Sequence, residues 1–376
     1  MANMNSEEEM MRVSAARAMT AVAALVVLAL LTLNWAPQDH HAHAQGTTVI
    51  FNVDTTADTV DTNPGDGTCA DVSGKCSLRA AIMEANAQAD PGKEFFINLQ
   101  AGTYSFSFSS LQSDTNDART DDLDVRAKIT IVGQGQEETT LQLSWDFDYY
   151  CSRLFEVWDG AELTLHAMTI KDFCGFEDPY GNAVYVHRGA TLTVHEVTFE
   201  NNDSDGGAIY NEGTLIITNS TFAQNDVNED GGAIYNKGTL TITNSTFAQN
   251  HANEDGGAIY NEGTLTITNS TFAQNDAYDD GGAIYNVGTL TITGGVFHRN
   301  TAGYGGGAIN NDDRGTASIE RSIFKGNFAR EYGGAIYNYG TLTVTETTFG
   351  GEYYRDGNHT RGDGGAIYIG RVAKVV

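Results

Sequence analysis

Basic residues are scarce in this chain: 21 lysines and arginines stand against 49 aspartates and glutamates, a formal net charge of −28. That balance repels nucleic acid and anionic membrane surfaces, so neither is an expected partner. Proline is scarcer still, at 4 residues, yet 42 glycines supply turns without the composition of a disordered chain. The 4 cysteines include no C-x-x-C pair, which argues against a zinc site. No apolar stretch reaches the roughly 20 residues of a membrane helix. The main one, Ala21 to Leu33, is 13 residues long.

That stretch follows Arg12 and Arg17 and precedes Ala42-His43-Ala44, an A-x-A cleavage pattern. Residues 1–44 therefore read as a signal peptide, and His40, His41 and His43 would leave with it. The chain is expected to be exported, extracellular or at the cell surface, with no membrane span once processed. In an oxidising compartment the cysteines are expected to form disulfides. Cys69 with Cys76 and Cys151 with Cys174 are the neighbours in sequence, although sequence cannot fix the pairing.

What the chain has in abundance is repetition. GGAIYNEGTLIITNSTFAQN starts at Gly206 and returns at Gly231 and Gly256; a fourth copy starts at Gly281, and looser ones at Gly306, Gly333 and Gly364. A fixed period of 25 residues marks a solenoid. Within a copy the apolar residues alternate, Leu240 and Ile242 against Thr239, Thr241 and Thr243, which is the period of a half-buried strand. Gly-Gly and Asn-x-Gly punctuate the copy with turns. Three short strands and three turns make one rung of a right-handed parallel β-helix. We expect an all-β fold of about ten rungs, pectate-lyase-like, at about 4.8 Å per rung.

The columns follow from this stacking. Leu215, Leu240, Leu265 and Leu290 form one inward column, Ile217, Ile242, Ile267 and Ile292 a second, and Phe222, Phe247, Phe272, Phe297 and Phe324 a third. Asn211, Asn236, Asn261 and Asn286, and likewise Asn225, Asn250, Asn275 and Asn300, recur at corners. Stacked amides there can bond one above another as structural ladders.

The loop before each Gly-Gly is acidic: Glu229 and Asp230, Glu254 and Asp255, Asp279 and Asp280. Stacked in register, these carboxylates would repel, and calcium would relieve them; otherwise they are solvated loops. Calcium is thus the single cofactor considered. The acids repeat from rung to rung, whereas a catalytic site breaks a repeat at one place. The departures, Asn310 for Tyr, Asp312-Asp313-Arg314 and Tyr353-Tyr354-Arg355, make no catalytic constellation. No catalytic residue is therefore assigned.

Before the repeats, residues 45–110 form a leader. Ser77 is placed to cap a helix with Leu78, Ala81, Ile82 and Ala85 on one face, a plug for the open end of the solenoid. Residues 111–205 read as irregular rungs, with strands at Ile129–Ile131, Leu163–Leu165 and Leu192–Val194 and aromatic-rich loops around Trp145 to Tyr150 and Phe173 to Tyr180. Residues 206–376 are the regular repeats, with a further rung opening at Gly364 that suggests a chain continuing beyond Val376.

Two resemblances attach to these residues. DGTC at Asp66 to Cys69, CSLRAAIMEAN at Cys76 to Asn86 and AGTYSF at Ala101 resemble the CSLREA domain of bacterial secreted β-helix proteins, with Ala80 where the family has Glu. GGAI from Gly206 to Ile209 and its later copies, paired with F-x-x-N from Phe222 to Asn225 and its later copies, is similar to the repeats of chlamydial polymorphic membrane proteins. These resemblances imply export, a β-helix, and surface or outer-membrane adhesion. The expected function is a monomeric scaffold that binds polysaccharide or a cell-surface partner. The alternatives are a carbohydrate-active enzyme, a polysaccharide lyase or hydrolase, and a spacer for a C-terminal domain.

Overall fold

Alternation of Thr with Leu and Ile gives each rung a strand with one greasy face, and a single rung cannot bury that face alone. The computed structural model shows how stacking solves this. It describes residues 47–107, 118–119, 122–144, 153–175, 183–204, 206–350, 357–370 and 374–375. The proposed signal peptide, Cys151, Trp145 to Tyr150, Phe176 to Tyr180 and Tyr353 to Arg355 lie outside these residues. Among the described residues no helix is long and apolar enough to cross a membrane.

Every named strand pair is parallel and in register across rungs, as in Leu240 with Leu265 and Ile242 with Ile267. A ten-stranded wall runs from Leu123–Val125 through Ile234–Asn236 to Ile367–Ile369, and an eight-stranded wall from Cys174–Gly175 to His359–Thr360. The remaining wall carries the Thr-Leu-Thr-Ile-Thr and Thr-Phe-Ala strands in a 20-stranded sheet. The irregular rungs join the same columns: Leu192 pairs with Leu163, and Leu163 with Ile129. Phe222, Phe247 and Phe272 stack face to face at 4.8–4.9 Å inside the core. Phe173, expected on a loop, is wholly buried there too.

The corners explain the conserved phrasing of each copy. Asn219, Asn244 and Asn269 take φ of 52°, 50° and 49°, the left-handed region that Asn tolerates better than most residues; Gly294 replaces them in the fourth copy. Asn225 Nδ2 donates to Asn250 Oδ1 and Asn250 Nδ2 to Asn275 Oδ1, each at 2.9 Å. A second ladder runs Asn211, Asn236, Asn261 and Asn286 at 2.7 Å per step. Both ladders lie in the interior, with these side chains fully buried.

The leader folds as a strand, Thr47–Asn52, paired with Lys93–Asn98 around helix α1, Leu78–Ala87. Ser77 caps α1, its Oγ accepting the Ala80 N–H. Cys69 and Cys76 are joined in a disulfide; Cys174 is also disulfide-bonded. One detail departs from an amphipathic plug with a wet outer face: Arg79 and Glu84 are buried as well. The Asp-rich loop folds over them. Asp58 accepts from Arg79 Nε at 2.6 Å, and Glu84 accepts the Gly65 and Gly67 N–H groups.

Candidate functional site

In the ten-stranded wall the middle residue of each three-residue strand points outward, because its neighbours supply the core. In-register pairing stacks these middle residues into one column: Asp124, Glu156, Tyr185, Tyr210, Tyr235, Tyr260, Tyr285, Asn310, Tyr337 and Tyr368. Tyrosine holds seven of these ten positions, so the outer face is an aromatic strip with charge at its N-terminal end.

Along the strip the rings of Tyr210, Tyr235, Tyr260 and Tyr285 stack at 4.8–5.1 Å. Their faces therefore meet one another; Tyr235, Tyr260 and Tyr285 are part-exposed, and Tyr210 is buried. Tyr235 Oη donates to Glu262 at 2.7 Å, Tyr285 Oη to Asp312 at 3.1 Å, and Lys237 Nζ donates to Tyr210 Oη at 2.6 Å. Burial first, then the neighbouring carboxylates, push the Tyr235 and Tyr260 phenols well above their ordinary value. They stay protonated donors at neutral pH. Where Asn310 interrupts the column, Tyr304 packs edge-on against Tyr337 and Tyr332, and the residue stays 39% exposed.

At the N-terminal end two carboxylates, Asp124 and Glu156, replace the phenols, and Asp122 lies beside them. Ligand oxygens of Asp122, Asp124 and Glu156 all lie within 4.8 Å of one another. Asp124 accepts from the Ala118 N–H at 2.8 Å and from the Trp158 indole N–H; burial pushes its carboxyl up against these donors. Glu156 Oε1 faces His187 Nε2 at 2.6 Å. Just past the ends of these strands, Arg126, Trp158 and His187 form a second stack, with Arg126 and His187 each 4.4 Å from the Trp158 ring.

The acidic loops do something else. Asp230 Oδ1 accepts the Asp255 N–H, Asp255 Oδ1 the Asp280 N–H, and Asp280 Oδ1 the Gly305 N–H, at 3.0, 2.9 and 2.7 Å. Glu229, Glu254 and Asp279 point into solvent. Among the described residues the groups of three or more with metal-ligating spacing are His166, His195 and Glu196, and the carboxylates at Asp122. The loop acids do not form one.

Burial, with like charge from adjacent carboxylates, lifts Asp230, Asp255 and Asp280 to about 6, about 8 and about 6. Unfolded, each would titrate near 3.8, so the folded state holds the protons more tightly between about pH 4 and 8. Stability from these groups is therefore greatest at the acid end of that window and falls as pH rises through it. The expected result is a thermal midpoint higher at pH 5 than at pH 8. In the triple Asp-to-Asn variant at 230, 255 and 280 that difference should shrink; an unchanged pH profile would contradict it.

These features sit on a recognisable frame. Residues 182–349 match the family model described as right handed beta helix region. No curated protein matches the chain in sequence. Among solved structures, an iota-carrageenase complexed to iota-carrageenan fragments is 12% identical, with a TM-score of 0.34 over 84% of this chain and 61% of that one. The chain thus spans less than two thirds of that enzyme's length. A Geobacillus virus E2 protein, ORF18, is 13% identical, with a TM-score of 0.30 over 76% of this chain and 55% of that one. The A-module of the Azotobacter vinelandii mannuronan C-5 epimerase AlgE6 is 12% identical, with a TM-score of 0.28 over 79% of this chain and 95% of that one. The family match and the strand register together make this chain a β-helix repeat protein.

Proposed function

We propose that this chain is an exported scaffold whose ten-stranded wall binds polysaccharide at a cell surface. The observation that carries the reading is the outward stack of Tyr235, Tyr260 and Tyr285, in which the Tyr235 and Tyr285 hydroxyls stand beside carboxylates. A ligand matched to such a strip is itself a repeating chain rich in hydroxyls, running along the stack. Amphipathic rings with a polar tip are suited to such a wet interface. The CSLREA-like leader and the GGAI and F-x-x-N repeats support export and adhesion, with outer-membrane association and monomeric display as parts of the same proposal. Calcium at Glu229, Asp230, Glu254, Asp255, Asp279 and Asp280 is a weaker part, since three of these acids already cap backbone N–H groups.

A second reading, a carbohydrate-active enzyme, is favoured by the charged break in the column at Asp124, Glu156 and His187. Against it, Asp124 and Glu156 are 1% and 4% exposed, so a glycan does not reach their oxygens in this conformation. A third reading, a spacer, would leave the tyrosines without a ligand.

Affinity electrophoresis through a panel of neutral and acidic polysaccharides tests the proposal. One class of polymer is expected to retard the protein, and the Tyr235→Ala, Tyr260→Ala double variant should lose about tenfold or more in affinity, roughly 1.4 kcal/mol. A folded protein retarded by no polymer would refute it. New reducing or unsaturated ends in the same incubations would establish the enzyme reading instead.

A further inference from the structure

In the regular rungs the Thr-Leu-Thr-Ile-Thr strand ends on an outward threonine, and Thr218, Thr243, Thr268 and Thr293 stack there in register. The two rungs before them hold histidine instead: His195 pairs with Thr218, and His166 with His195. The next residue changes too. Where the regular copies have Asn219 or Asn244, this rung has Glu196, in the same left-handed conformation at φ 54°. Two imidazoles and a carboxylate therefore meet at one corner. The rings of His166 and His195 lie 5.0 Å apart and within 10° of parallel, and His195 Nε2 stands 3.7 Å from Glu196 Oε1. One ligand atom from each of the three lies within 4.8 Å of the others. Among the described residues the salt-bridge partner of Glu196 is His195. His166 Nδ1 lies 3.3 Å from the His195 carbonyl, which can only accept. Nδ1 then carries the hydrogen and Nε2 keeps its lone pair, the arrangement that metal-ligating histidines usually show.

We propose that His166, His195 and Glu196 bind one divalent transition-metal ion of the zinc class on the outer face of the irregular rungs. Two imidazole nitrogens and a carboxylate oxygen are a borderline donor set, which suits zinc and its neighbours, whereas calcium takes oxygen throughout. Three protein ligands leave the fourth tetrahedral position to water. Bonds of about 2.0–2.2 Å put the ligand atoms of a tetrahedral ion about 3.4 Å apart. The present separations close to that when the imidazoles turn toward each other about χ2, a broad torsion for histidine. Both rings are part-exposed and Glu196 is exposed, so the turn displaces solvent and leaves the core alone. Glu196 also lines a groove of about 350 Å³ with Gly135, Gln136, Ala167 and Asn219, which places an ion held by it at the rim of that groove. The missing C-x-x-C pair bears on cysteine ligands, and this set uses none. The site lies on the threonine wall, apart from the tyrosine column, and does not depend on the glycan reading.

Calorimetric titration with zinc chloride tests this on the full chain carrying His40→Ala, His41→Ala and His43→Ala, which removes the other histidine cluster of the sequence. Saturable binding of one zinc per chain is expected. His166→Thr and His195→Thr restore the residue of the regular rungs, so both should fold with the parent's metal-free thermal midpoint. Removing an outer-shell partner alone costs about 10–100-fold in affinity, so each of these ligand losses should cost about a hundredfold or more. Glu196→Gln separates a three-ligand site from a bare imidazole pair. Glutamine already holds the left-handed conformation here at Gln224 and Gln249, so this variant too should fold, and it should lose at least about tenfold. His251→Ala removes a histidine that faces Asp276 at 3.1 Å on another wall, and should leave zinc binding unchanged. No zinc binding by the parent chain would overturn the proposal. So would binding that His195→Thr or Glu196→Gln leaves intact, or binding that His251→Ala abolishes.

Discussion

Replacing Asn250 with aspartate is expected to split the protein's unfolding into two transitions at pH 7. The amide of Asn250 donates to Asn275 Oδ1 at 2.9 Å and to the Phe222 carbonyl at 3.1 Å, and its Oδ1 accepts the Asn225 N–H and Nδ2. Aspartate keeps the shape and the accepting oxygen but turns both donations into oxygen facing oxygen, inside a fully buried column. Each acceptor left unsatisfied costs about 1–3 kcal/mol, and the buried charge adds to that, so a loss of roughly 4–6 kcal/mol is expected. Coupling between rungs is nearest-neighbour, so the damage should separate the rungs on either side rather than spread evenly. Acidification that protonates the new carboxyl should restore part of the loss, because one donor returns. Urea unfolding at pH 7 and pH 5 measures both effects. A single transition within about 1 kcal/mol of wild type at pH 7 would show that the ladder is dispensable.

The second large effect is expected from Gly257→Ala. A Cβ at Gly257 would stand 2.5 Å from the Asp276 carbonyl oxygen and closer still to that of Gly282, both in the next rung. Overpacking a flexible core costs about 1–3 kcal/mol. Here the obstacle is backbone, hydrogen-bonded from Gly257 N–H to Gly281 O at 3.1 Å, so the rungs themselves must part. We expect at least about 3 kcal/mol, or a midpoint lower by roughly 10 °C. Gly365→Ala is the internal control. The same motif position there meets only the Asn358 carbonyl at 3.8 Å, an ordinary contact, so the change should stay within about 0.5 kcal/mol. Equal effects at the two positions would mean that the second glycine is kept for conformation rather than for close approach.

The core was legible because stacking makes each rung a copy of its neighbour. Leu240, Ile242 and Phe247 recur at constant spacing, and identical spacing means identical direction once strands are in register. The outward column was not read, although its signal is present. Leu123-Asp124-Val125-Arg126, Phe155-Glu156-Val157-Trp158 and Val184-Tyr185-Val186-His187 share the alternation of Ile-Tyr-Asn in the regular copies. They lack the preceding Gly-Gly, and loops of unequal length separate them, so the period that exposed the regular rungs gave no alignment here. The burial of Arg79 and Glu84 was illegible for a different reason. It depends on where the loop carrying Asp58, Gly65 and Gly67 folds back, and helical periodicity is silent about that.

Near-identity of the copies opening at Gly206, Gly231 and Gly256 has a genetic consequence. Loss or duplication of one whole 25-residue copy by recombination would leave each stacked column, both amide ladders and the glycine approaches in phase. The resulting protein would differ by one tyrosine on the strip and one increment of rung stability. Insertions of other lengths keep the columns in phase where they fall in a loop, as the 27-residue step from Asn300 to Asn327 and the 31-residue step from Asn327 to Asn358 do. Lineages carrying this chain can therefore lengthen or shorten the strip stepwise, and its reach becomes a heritable quantity set by copy number.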